Sequence, residues 1–322
     1  MAPRRVFLLG ASGSIGQATL TALVARGQQV TCFLRPAAAA RMTLPPGATL
    51  RTGDVTDPAS LRRDGFRGER FDAIVSCLAS RSGTPDSARA IDHAAHSHVL
   101  AAGKAAGVTH FVLLSAICVQ KPRLAFQHAK LAFERELVAS GLRYSIVRPT
   151  AYFKSLSGQV ERLRRGKPYL LFGDGRLTAC KPVSNADLGA YLAECLDDPA
   201  RLNRILPIGG PGPALTPREM GEALFALMGQ EPRFRQVPVA LLDGIIAVLS
   251  LLGRLSPRLR DKAELARIGR YYATESMLVL DPETGRYDAD ATPETGHETL
   301  TGHYARLLRG DVADERGEHA VF

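Results

Sequence analysis

An apolar run that stops at three spaced glycines constrains this chain more than any other feature: "RVFLLGASGSIGQATLTALVARG", residues 5–27. Residues 5–10 have the pattern of a buried strand, and 14–27 that of a helix closing on a glycine. Gly10 permits a tight turn between them, Gly13 lets backbone N–H groups approach a pyrophosphate, and Gly16 lets the helix pack close to a sheet. The helix start brings the positive end of its dipole to the same place. The backbone of Ser12, Ser14 and Ile15 completes the expected cradle.

The chain beyond residue 27 keeps the same alternation. Strand patterns at 29–35, 49–55, 71–79, 110–116 and 144–150 are separated by helical ones at 57–66, 87–106 and 123–140. In the first of these helices Asp57 is the expected N-cap and Pro58 the first helical residue. Apolar strands alternating with helices predict an α/β fold, a doubly wound parallel sheet of the Rossmann type. After Pro149 the pattern loosens: 172–184 is rich in turns, 185–198 is helical and 204–210 reads as a strand returning to the sheet. The expected division is 1–150 with 181–210 as a dinucleotide-binding domain, 151–180 with 211–310 as a smaller substrate lobe, and 311–322 as a frayed tail.

Composition narrows the function classes. The net charge is +9, with Arg scattered rather than striped among aromatics, so a nucleic-acid partner is not expected. The surplus suits an anionic cofactor or a solvated surface equally. A denser patch, Arg162, Arg164, Arg165 and Lys167, is open to the same two readings, an anionic substrate group or water. Five cysteines at 32, 77, 118, 180 and 195 form no Cys-x-x-Cys pair, so no metal or iron–sulfur site is expected and the compartment reads as reducing and cytoplasmic. No secretory signal or membrane span is expected. The nearest candidate, "VPVALLDGIIAVLSLLGRL", is interrupted by Asp243 and Gly244. Its core, 237–253, is read first as a buried helix, with a lid over the substrate or a helix on a membrane surface as alternatives.

Two positions bear on the cofactor. The second strand ends at Arg35, where an acidic residue would bind a ribose 2′-hydroxyl and an arginine suits a 2′-phosphate, so NADPH is the expected cofactor. In "GDVTD", after the third strand, Asp54 and Val55 are expected near the adenine.

With the glycine triplet, "GDV" and a Lys on the helix after "LLSA", the chain resembles the atypical, extended-type short-chain dehydrogenase/reductases. "CLASRSG", "AIDHAAHS", "HFVLLSAICVQKP", "LAFQHAKLAFE", "YSIVRPTAYFKSLSGQVE", "GKPYLLFGDGRLTACKPVS" and "TPETGHETLTGHY" make it resemble, from about residue 4 to 308, the NADPH-dependent 8-vinyl reductases of chlorophyll biosynthesis. The resemblance implies reduction of the 8-vinyl group of a divinyl magnesium tetrapyrrole, chlorophyllide or protochlorophyllide, to ethyl. In the wider superfamily a Tyr four residues before the Lys protonates a carbonyl oxygen. Here that place is Phe126, with Lys130 following. Phe carries no exchangeable proton, which removes carbonyl chemistry by that route and leaves alkene reduction open. Lys130 is expected to bind the nicotinamide ribose and support developing negative charge. Tyr152 is a candidate proton donor or a pocket wall, with Cys118, His128, Lys154 and water as further donors. Phe126, His128, Tyr152, Phe153 and Lys154 are expected at the substrate, and Cys77, Leu78, Ala79, Ser115, Pro149 and Thr150 along the cofactor. The alternatives kept are a catalytically silent NADP(H)-binding sensor or assembly protein, and a reductase of another conjugated alkene.

Overall fold

A computed structural model describes residues 3–312; the expected tail from 313 onward lies outside the described residues. The chain divides into two compact units. The first runs to Ser80 and adds Asp86–Pro149 and Asn185–Pro207. The second holds Arg81–Pro85, Thr150–Ser184 and the chain from Ile208 on.

The first unit is built on β1 (Arg5–Leu9), α1 (Ser14–Ala25), β2 (Gln29–Leu34), β3 (Ala48–Thr52), β4 (Ala73–Ser76), α2 (His96–Ala105), β5 (His110–Leu114), α3 (Ala125–Ala139) and β6 (Arg143–Pro149). Beyond β7 (Tyr169–Phe172), which belongs to the second unit, come α4 (Asn185–Glu194) and β8 (Arg204–Ile208). The seven strands order as β3-β2-β1-β4-β5-β6-β8, the doubly wound arrangement expected. Pairings from β3 across to β6 are parallel, with β1 meeting β2 at Val6↔Val30 and β4 at Val6↔Ala73. The order reverses at β1, so a crevice opens beside the ends of β1 and β4, where α/β sheets bind ligands.

Both faces of β1 are buried, which explains why it reads as a continuous apolar run. Phe7 and Leu9 point to one side, into a cluster with Phe66, Phe71, Ile74, Phe111, Phe133 and Ile146. Phe7 stacks on Phe66 at 4.2 Å between ring centroids and meets Phe71 edge-on at 5.3 Å. Toward the other side, α1 and α4 pack so closely that a Cβ on Gly189 would sit 2.6 Å from the Ala18 carbonyl carbon.

Two local departures have physical causes. The helix expected over 87–106 is not uniform: Ala88–Ala95 is wound as a π-helix before α2 begins. Such wide turns commonly mark a helix reshaped around a site. The strand expected over 49–55 stops at Thr52, because the Asp54 carboxylate closes a turn on Thr56. Asp57 does cap the next helix, accepting from Ala59 N–H at 2.8 Å, with Pro58 following.

The second unit contains β7 paired in parallel with β9 (Phe234–Val237), and the helices α5 (Pro217–Leu227), α6 (Val239–Leu252), α7 (Pro257–Thr274) and α8 (Leu300–Arg309). Its core includes Tyr169, Phe225, Tyr271 and Tyr304. The Tyr304 hydroxyl donates to the Leu156 carbonyl at 2.9 Å. Contrary to the first expectation for 237–253, no residue of α6 is buried. Among the described residues no helix is long and apolar enough to cross a membrane.

Candidate active site

The glycine loop has a steric reason for each end. Gly10 has φ +76°, and a Cβ there would lie 2.5 Å from the Cys77 carbonyl carbon, so the turn is closed to larger residues. A Cβ on Gly16 would lie 2.0 Å from the Gly10 carbonyl oxygen. Gly13 is the N-cap of α1 and provides no side-chain cap, and the first turn holds no acidic residue. Ser12 and Gly13 are exposed, Ser14 and Ile15 half-buried. The first-turn N–H groups of α1 therefore depend on a partner from outside the helix. A loop too narrow for side chains, opening onto an uncapped helix start, fits the pyrophosphate of a dinucleotide.

The loops after β2 and β3, expected at the adenosine, are more open. Arg35 is exposed at the end of β2. Asp54 Oδ1 accepts from the Thr56 hydroxyl at 2.7 Å and its N–H at 2.8 Å. Those hydrogen bonds, aided by the Arg35 charge, hold the Asp54 carboxyl below the usual carboxylate range. Arg35 and Asp54 thus flank one edge, while Val55 is buried. At the end of β4 the Cys77 side chain turns inward to Thr19, 3.5 Å from its hydroxyl. Burial pushes that thiol up to about 12, so it is no nucleophile. Leu78 and Ala79 continue outward, half-buried and exposed.

The opening of α3 is organised by one residue. The Gln127 side chain is fully buried: Oε1 accepts from the N–H groups of Arg123 (2.7 Å) and Leu124 (2.9 Å), and Nε2 donates to the Cys118 carbonyl at 3.1 Å. This pins the loop that leads into the helix. Phe126, Lys130 and Glu134 then recur one turn apart on the inward face. Phe126 is buried, and Lys130 lies inside with its Nζ 3.1 Å from Asp92 Oδ1, their side chains 11% and 1% exposed. Asp92 also accepts from Ser80, through its hydroxyl and its N–H. The lysine is held by a carboxylate from the π-wound stretch.

A second buried carboxylate lies one turn further on. Glu134 accepts from the Ser115 hydroxyl and from Arg148 of β6 through Nε at 3.2 Å and through Nη2. The Ser115 hydroxyl is therefore engaged as a donor to Glu134. Between these groups and β4, His96 is buried, with Nδ1 2.9 Å from the Ile91 carbonyl and Nε2 2.9 Å from the Ser76 hydroxyl. A carbonyl can only accept, so Nδ1 carries the proton and Nε2 accepts from Ser76. Burial, with the nearby Lys130 charge, pushes His96 down to about 4.

The remaining expected residues are placed by both units of the chain. His128 lies on the exposed face of α3, two residues past Phe126 and so turned away from the Phe126–Lys130 side. Cys118 is buried. In the second unit, Phe153 is 3% exposed and packs on His303 at 5.3 Å between centroids. The Thr150 hydroxyl is donated to the Lys181 carbonyl, and Lys181 itself is buried with Nζ 2.7 Å from Glu294 Oε1. Pro149 is buried at the end of β6; Tyr152 and Lys154 are half-buried beside the Tyr152↔Val183 bridge. In the basic patch Arg162 donates to the Pro168 carbonyl, Arg164 to those of Leu307 and Leu308, and Arg165 pairs with Glu161. Three of its four cations are thus engaged within the protein. Among the described residues no group of three His, Cys, Asp or Glu side chains is placed to hold a metal.

Asp92, Glu134, Arg148 and the Ser76–His96 pair belong to no catalytic or binding motif of the sequence. A faint signal exists for two of them: an Asp inside an alanine-rich helix, and a Glu one turn beyond Lys130.

A family profile described as NAD(P)H-binding matches residues 10–199. The chain is 48% identical over 331 residues to the chloroplastic divinyl chlorophyllide a 8-vinyl-reductase of Oryza sativa subsp. indica, covering 98% of this chain and 82% of that one. It belongs to the divinyl chlorophyllide a 8-vinyl-reductase family. The enzyme of the same description from Arabidopsis thaliana is 46% identical, with 97% of this chain and 79% of that one covered. Among solved structures, the ternary complex of leucoanthocyanidin reductase from Vitis vinifera has a TM-score of 0.67 at 16% identity, covering 95% and 99% of the two chains, a likeness of fold. The stretch matched by the NAD(P)H-binding profile begins at Gly10 and includes the glycine loop with Gly13 and Gly16.

Proposed function

We propose that this member of the family uses NADPH to reduce the 8-vinyl group of a divinyl magnesium tetrapyrrole to ethyl. The observation that carries the reading is the inward face of α3, where Phe126 and Lys130 stand one turn apart and Lys130 is ion-paired to buried Asp92. A carbonyl reductase needs a proton donor where Phe126 stands. An alkene conjugated to a macrocycle needs none there, because the ring spreads the negative charge that hydride addition leaves. NADPH, when bound, supplies the hydride to the terminal vinyl carbon.

The protein's own residues bind, orient and hold charge. The glycine loop takes the pyrophosphate against the start of α1, and Arg35 faces the 2′-phosphate. Asp92 fixes the Lys130 ammonium so that it donates to the nicotinamide ribose and presents a positive charge toward the reacting alkene. Glu134, locked by Ser115 and Arg148, holds the next turn of α3 and so keeps Lys130 from drifting. Phe126 offers a flat apolar surface to a flat apolar ring and helps to exclude water. For the carbon-bound proton, Cys118, being buried, and His128, facing outward, are less suited than Tyr152, Lys154 or water.

The test mixes purified protein with NADPH and divinyl chlorophyllide and follows the Soret band, which shifts to the blue as the vinyl group is lost. Tight NADPH binding without a shift would turn the reading toward a silent NADP(H)-binding protein. NADPH oxidation only with other conjugated alkenes would change the substrate class. A several-fold faster Phe126→Tyr variant would overturn the packing role given to that ring.

A further inference from the structure

We propose that α6 and the start of α7 form a surface that lays the second unit onto an anionic lipid bilayer. Helix α6, "VALLDGIIAVLSLL", has no buried residue. A surface helix of a globular protein turns a polar face outward; this one turns out Leu241 (55% exposed), Ile245 (41%), Val248 (58%) and Leu252 (42%), and Leu255 just beyond it is 87% exposed. Their spacing of four, three, four and three residues places all five along one line. The opposite side of α6 is fastened to α7 by Asp243 with Arg270 and by Ser250, which accepts from Arg267 at 2.7 Å. The apolar line is thus held outward on a braced hairpin.

The charge beside it selects the occupant. Around and beyond the end of the line come exposed Arg254, Arg258, Arg260 and Lys262, with Asp261 the acidic residue among them. Pairing this face with a second copy about a two-fold axis would need an acidic counter-patch on the same surface, which those residues do not supply. An anionic membrane does supply it: apolar side chains enter the headgroup boundary while long basic ones stay at phosphate level. At 14 residues α6 is roughly 21 Å long, short of the roughly 30 Å hydrocarbon core. It lies in the interface rather than spanning it.

The proposal does not depend on the reaction, and its test uses the full chain without substrate. The sequence contains no Trp, so Leu255→Trp gives a single emission probe. Expected with vesicles of equimolar phosphatidylcholine and phosphatidylglycerol are co-flotation and a blue shift, both weakened by high salt and by omitting phosphatidylglycerol. Val248→Asp with Leu252→Asp is expected to lower vesicle partitioning on the order of 100-fold and to leave NADPH affinity unchanged, which shows the fold is intact. Absence of both flotation and shift with intact NADPH binding overturns the proposal. So does a lipid-free dimer that Val248→Asp dissociates, because the face then closes on a second copy.

Discussion

Replacing Asp92 by Asn tests whether the Lys130 pair serves the cofactor or only the fold. Nζ and Oδ1 are 3.1 Å apart and nearly enclosed. At an effective dielectric of about 20 their attraction is about 5 kcal/mol. Asn keeps a hydrogen-bonding oxygen for Ser80 and Lys130, and Lys130 retains some exposure, so the net loss of stability is expected at roughly 2–4 kcal/mol. The functional loss is separate. A charge-assisted hydrogen bond contributes roughly 1.5–3 kcal/mol, so an unaimed lysine weakens NADPH binding roughly 10- to 100-fold. Urea unfolding and fluorescence titration of NADPH measure the two quantities on the same protein. The double variant Asp92→Asn, Lys130→Met removes both charges and is expected to recover much of the stability but none of the NADPH affinity. Wild-type NADPH affinity and turnover in Asp92→Asn, whatever its stability, would refute the positioning role.

Other substitutions probe the cradle and the buried histidines. Gly16→Ala places a methyl 2.0 Å from the Gly10 oxygen and is expected to cost on the order of 3 kcal/mol or more and to abolish NADPH binding, by calorimetry and titration. Gly13→Ala, whose nearest contact is 3.4 Å, should fold normally and lose affinity only. Arg35→Ser should weaken NADPH roughly 10- to 100-fold and leave NADH unchanged, as separate titrations would show. His96 and His110 are both buried and pushed down from 6.5 to about 4, His110 by burial with Arg143 adding to it. The folded state thus resists protonation that the unfolded chain accepts, so their contribution is complete above pH 6.5 and is lost as pH falls toward 4. Each difference corresponds to roughly 3 kcal/mol at full loss and about 2 at pH 5. Urea midpoints measured across that range should fall and then level, and His110→Gln should reduce the slope.

The legible parts of the site were those where one residue suffices. Gly10 and Gly16 are dictated by distances to backbone atoms, and no other side chain answers those distances. Lys130 is singled out by the resemblance, since it stands four residues after Phe126, where the wider superfamily places its Tyr and Lys. Its partner is not, since Asp92 lies 38 residues earlier in a stretch whose π winding has no period of its own in the sequence. The exposure of His128 and the burial of Phe153 are equally illegible in the sequence. Adjacency to Phe126 or Tyr152 in the chain says nothing of which face of a helix, or which side of a core, receives the side chain.

By itself the sequence determined the sheet, the glycine cradle and the absence of a hydroxyl at Phe126, because these depend on local period, backbone clearance and residue type. Only the tertiary structure decided who holds whom: Asp92 on Lys130, Ser115 and Arg148 on Glu134, Ser76 on His96. Those pairings join distant segments in a low-dielectric interior, where a charge persists only beside its partner. The same holds for α6, whose composition suited a buried helix equally well. Its exposure follows from the packing of α7 against its other face, which local sequence does not encode.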